Sequence, residues 1–117
     1  MDVEKLEKAK LTVAGVNLHS GMERFMNNEG LYETFLLKFP RDLNMERLRQ
    51  ALEEEEASLA FRVAHTLLGI AANLSMESLY EVLRPATEAL REGNIALAKK
   101  LMPRVEEAYL LIIEALK

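Results

Sequence analysis

Two histidines, His19 and His65, are the only side chains in these 117 residues whose type and setting suggest group-transfer chemistry, because the chain has no cysteine. His19 lies between Leu18 and Ser20, just ahead of a Ser20-to-Glu23 capping box, and reads as a loop histidine without a role. His65 differs because of where helical geometry puts it. At about 100° per residue, Leu59, Val63, Leu67, Ile70 and Leu74 form one apolar stripe, and His65 points to roughly the opposite side. Phe61, Leu68, Gly69 and Ala72 surround it, with Arg62 one turn back.

An apolar collar around an outward imidazole is unexpected on a solvated face and suits a docking partner. Spacing alone leaves a second arrangement open: Phe61 and Leu68 could pack against another helix, leaving His65 at a seam. Gly69 costs on the order of 1 kcal/mol of helix stability against Ala, which makes sense where a bulky group or a backbone must approach. Imidazole titrates near neutrality, so an uncharged ring nitrogen can attack an electrophilic phosphorus and pass the group on. No Ser or Cys nucleophile is paired with a histidine by a hydrolytic motif, and HExxH, P-loop and GxGxxG patterns are absent. A nucleotide-dependent kinase is excluded by length and by the missing loop.

The elements that must position His65 are helices. Half of the residues are apolar and only 6% aromatic, with Leu, Ala, Glu, Lys and Met abundant, which suits a single helical core. Asp2 is placed to cap a first short helix with Leu6 and Leu11 inward, ended by Gly15; Ser20 starts a second that fades at Asn27 and Asn28. Asn28 caps a third, with Leu31, Tyr32, Phe35, Leu36 and Phe39 at helical spacing, which Pro40 stops or kinks. Asp42 or Asn44 restarts it, with Met45, Leu48 and Leu52 inward.

Between Leu52 and Ala60 only the acidic run Glu53 to Glu56 and a possible Ser58 cap punctuate the chain, so one long helix there stays open. The acidic run reads as a solvated turn or helix start rather than a metal site. Ser75 is placed to cap a helix from Met76 to Gly93, burying Leu79, Leu83, Ala86 and Leu90. Asn94 caps the last, burying Leu101, Val105, Ala108, Ile112 and Leu116. The register runs across Pro85 and Pro103, which predicts kinks rather than breaks. The expected fold is all-α: an antiparallel four-helix bundle with a short additional N-terminal helix or helices.

The net charge of −4 argues against nucleic acid. The longest nearly apolar stretch, Leu67 to Leu74, is far shorter than the ~20 residues of a membrane span. Asp2 and Glu4 sit where a signal peptide would be apolar, so a cytoplasmic location is expected.

The stretch Ala64-His65-Thr66-Leu67-Leu68-Gly69-Ile70-Ala71-Ala72-Asn73-Leu74 resembles the signature of histidine phosphotransfer (HPt) domains of bacterial phosphorelays, A-H-T-L-K-G-x-A-x-N-L-G. Gly15, Asn17, Gly21, Met22, Arg24 and Phe25, then Leu31, Tyr32, Phe35 and Phe39, are similar to the family's opening pattern, and Leu83 to Asn94 to its L-x-x-x-x-E-x-L-R-x-G-[ND] segment. The resemblance spans residues 15–117 of a single domain, with 1–14 as a helical extension. It implies a phosphocarrier without independent catalysis, accepting a phosphoryl group on His65 from a receiver-domain aspartate and passing it to another. Phe61, Leu68, Gly69 and Ala72 would then dock the receiver. Implied partners are a response-regulator receiver or a hybrid sensor kinase; no metal or cofactor is expected on this chain, Mg²⁺ belonging to the receiver.

Two positions depart from the pattern. Leu68 stands where the family usually has Lys, and Arg62 is the candidate replacement cation by spacing. Ser75 replaces a usual Gly, which a capping role would explain. Leu68 also sustains an alternative, a degenerate bundle that binds a receiver or kinase without accepting phosphate. One docking face accounts for the collar, so a monomer is expected.

Overall fold

The computed structural model describes residues 7–117; the expected cap Asp2 and the inward Leu6 lie outside them. Among the described residues seven helices follow in order: α1 Lys8–Val13, α2 Leu18–Arg24, α3 Glu29–Lys38, α4 Asn44–Glu53, α5 Ala57–Asn73, α6 Glu77–Arg91 and α7 Ile95–Ala115, with a 3-10 turn at Phe39–Arg41. No strand occurs among the described residues; one isolated antiparallel bridge pairs Val16 with Met76.

Asparagines start three of these helices. The side chains of Asn17, Asn28 and Asn94 accept from the N–H groups of Ser20, Leu31 and Leu97 at 3.0 to 3.1 Å, satisfying donors that the first turn leaves free. The capping box expected at Ser20 is therefore not formed. Asn17 caps one turn earlier, so Ser20 and His19 both lie inside α2, and His19 is not a loop residue. At α4 the N-cap is Leu43 and no side chain caps it; Asp42, just ahead, accepts from the Asn44 N–H at 2.8 Å.

Helix ends rest on left-handed residues. Gly15 (φ +87°) and Gly93 (φ +73°) close α1 and α6. Glu55 and Ser75, both at φ +56°, close α4 and α5. In each non-glycine case paired backbone bonds tie the turn: Glu55 N–H to Leu52 and Glu56 N–H to Ala51 after α4, Ser75 N–H to Ala72 and Met76 N–H to Ala71 after α5. The acidic run is thus a turn, and a single helix through it does not form. Neither Ser58 nor Ser75 is a cap. Ser58 lies inside α5, while Ser75 is buried and donates its hydroxyl to Ser20 at 3.0 Å. Both α6 and α7 continue through Pro85 and Pro103.

Helices α4 to α7 form the bundle, each packed against the next. Turns of three residues at 54–56, 74–76 and 92–94 make consecutive members antiparallel. Arg49 on α4 grips Glu106 on α7 with two bonds of 2.7 and 2.6 Å, and Phe39 meets Tyr109 at 5.7 Å between ring centres. The N-terminal helices are fastened to the end of α5 by Tyr32, whose buried hydroxyl donates to the Leu74 carbonyl at 2.8 Å. A β-carbon on Gly21 would collide with the Tyr32 ring, so this close approach needs glycine.

The core differs in detail from the expected stripes. On α5 the buried residues are Ala60, Val63, Ala64, Leu67 and Ala71, followed by Leu74, while Leu59 is exposed and Ile70 only partly covered. The buried stripe is rotated by about 50° from the middle of the expected Leu59, Val63, Leu67, Ile70 and Leu74 stripe, at ~100° per residue. Small alanines let α4 and α6 approach α5 from both sides. On α7, Ala98 and Met102 are buried and Leu101 is only partly so, and on α3 Leu31 and Phe35 remain 45% and 43% exposed.

Candidate functional site

His65 is the ninth of the seventeen residues of α5. The helical period turns it about 150° from the middle of the buried stripe, and its side chain is exposed. Its ring makes no hydrogen bond or ion pair with a described residue. The Phe61 ring on the preceding turn lies beside it, with ring centres 5.8 Å apart and planes tilted by 45°.

The collar resolves into distinct parts. Phe61 and Leu68 are half-buried and pack against the edge of the core, so the seam anticipated for them exists, while the imidazole itself stays outside it. Gly69 is exposed, and a β-carbon built there meets nothing within 4 Å. Ala72 is half-buried two turns beyond His65 and lines an open groove of about 510 Å³ with Ser20, Arg24, Ser75 and Tyr80. Arg62 is exposed one turn before His65, its backbone carbonyl accepting from the Thr66 hydroxyl at 3.0 Å.

One neighbour escaped sequence reasoning. Arg91, in the last turn of α6, places its guanidinium 4.9 Å over the Phe61 ring and lies 3.4 Å from the Glu88 carboxylate. Its membership of the Leu83-to-Asn94 pattern was the sole signal, since a contact across two helices depends on their mutual register. His19 lies on another helix with Glu23 at 3.4 Å. Among the described residues no group of three His, Asp or Glu side chains is arranged to hold a metal, and no helix is long and apolar enough to cross a membrane.

Chemically, the arrangement offers one accessible imidazole on rigid helical backbone, flanked by flat apolar surface and a gap in the side-chain layer at Gly69. Such a site can exchange a group with a partner that covers it. A family model described as Hpt domain matches residues 30–116, which include His65 and all four bundle helices. Neither the curated proteins nor the solved structures include a significant match.

Proposed function

The chain belongs to the Hpt domain family, whose members carry phosphoryl groups on histidine in phosphorelays rather than catalyse, and from that we propose that His65 is the phospho-acceptor of this chain. A neutral ring nitrogen attacks the phosphorus of an aspartyl phosphate on a docked receiver domain. The N–P bond forms as the bond from phosphorus to the carboxylate oxygen breaks, and the aspartate departs as carboxylate. The reverse step loads a second receiver. Such transfer needs mainly alignment and charge stabilisation, and the receiver brings Mg²⁺ and the aspartate.

The observation that carries this reading is the exposed imidazole with no hydrogen bond to a described residue, beside Phe61 and Leu68, whose flanks are already fixed by the core. A partner covering Phe61, Leu68, Gly69 and Ala72 meets surface that is ordered beforehand, which lowers the entropic cost of docking. Arg62 stands on the same exposed side and offers a cation near the phosphoryl group.

The test mixes the protein with a phosphorylated receiver domain and measures acid-labile, base-stable phosphate on it. Label on the native chain and none on His65→Gln is the expected outcome. Receiver binding without label on either protein would establish the adaptor alternative instead.

A further inference from the structure

Beyond His65 on its own helix, residues Leu68 to Ala72 are all uncharged, so α5 offers a phosphoryl group no cation on its C-terminal side. The neighbouring helix does. The Arg91 guanidinium lies over Phe61 at 4.9 Å, and Phe61 lies 5.8 Å from the His65 ring; the two contacts place the guanidinium carbon within about 11 Å of the imidazole. Phe61 holds the cation by its ring face, which attracts without neutralising. Glu88, the ion-pair partner of Arg91, is a weak competitor: the pair is 3.4 Å apart and both side chains are 55% exposed. A phosphoryl group carries up to about twice the charge of a carboxylate and matches the guanidinium fork with paired oxygens.

We infer that Arg91 is the counter-ion of a phosphoryl group on His65, reached across the α5–α6 seam over Phe61, and that Glu88 competes for it. This rests on the reading of His65 as the acceptor, but it is testable without any relay partner. Phosphoramidate transfers its phosphoryl group to imidazole: a new N–P bond forms, the original P–N bond breaks, and ammonia leaves. Full-length protein in a His19→Gln background is labelled this way at His65, and the ³¹P resonance is followed against pH to obtain the pKa of the bound phosphoryl group.

A nearby cation favours the dianion and lowers that pKa. Arg91→Ala therefore raises it by a few tenths of a unit to about one unit, Arg91→Lys restores part of the difference, and Arg104→Ala on α7 leaves it unchanged. Glu88→Gln lowers the pKa, and that lowering shrinks sharply in the Arg91→Ala background. An unchanged pKa in Arg91→Ala, an equal rise in Arg104→Ala, or a rise found only in Arg62→Ala would each overturn the assignment. An unchanged pKa in Glu88→Gln would remove the competition. Failure of receivers to label His65 while these shifts hold would sink the relay reading and leave the counter-ion in place.

Discussion

Gly69 sits one turn after His65 with open space where a β-carbon would go, so the protein itself gives no packing reason for glycine there. Gly69→Ala is expected to stabilise the fold by up to about 1 kcal/mol, seen as a raised thermal midpoint, while slowing receiver-dependent labelling of His65. Faster or unchanged labelling in the stabilised variant would remove Gly69 from the docking surface. The outward direction of His65 was legible because it is a matter of helical phase. The stripe expected from Leu59, Val63, Leu67, Ile70 and Leu74 was off by about 50°, because Leu59 and Ile70 lie outside the core; that is small beside the near half-turn that separates His65 from either version. Arg91 over Phe61 was not legible, because the offset between α5 and α6 is set by the turn at 74–76 and by which alanines the helices press against.

Among the helices, existence and order followed from periodicity and punctuation, while the closing residues did not. Gly15 and Gly93 announce left-handed turns by their type. Glu55 adopts the same conformation without announcing it; at Ser75, which adopts it too, the Gly usual at that place in the family pattern was the signal, and the cap expected of a serine hid it. An L-residue in that region costs roughly 1 kcal/mol that glycine avoids. Glu55→Gly is therefore expected to stabilise by about 0.5 to 1 kcal/mol in denaturant melts, since the Lys99 ion pair it gives up, 3.3 Å long, is exposed. Ser75→Gly should gain less, because it also removes the part-buried hydroxyl bond to Ser20. Equal gains at both positions would mean that this hydroxyl pair contributes nothing.

For the molecule as a whole, Tyr32 joins two parts of the chain 42 residues apart, from α3 to the end of α5. Burial pushes its phenol from the usual 10.0 up to about 12. The folded state thus favours the protonated phenol, and the stability this gives is intact below pH 10 and is lost as pH rises through about 12. Tyr32→Phe is expected to weaken the fall in stability across that window, by on the order of 2 kcal/mol, while lowering stability at neutral pH through the unsatisfied Leu74 carbonyl. A native-like alkaline profile in Tyr32→Phe would show that another group sets it. This latch was invisible beforehand, since Tyr32 was recognisable as an inward residue but not its partner.

Because α5 is closed at both ends by left-handed turns and His65 is its middle residue, fraying that starts from either terminus must travel eight residues to reach it. Peptide groups in such a place open only when large parts of the structure come apart together. The imidazole is open to a visitor, yet it is mounted on some of the least yielding backbone in the protein. Any adjustment needed to bring donor and acceptor into line therefore falls to side-chain rotation and to the visitor.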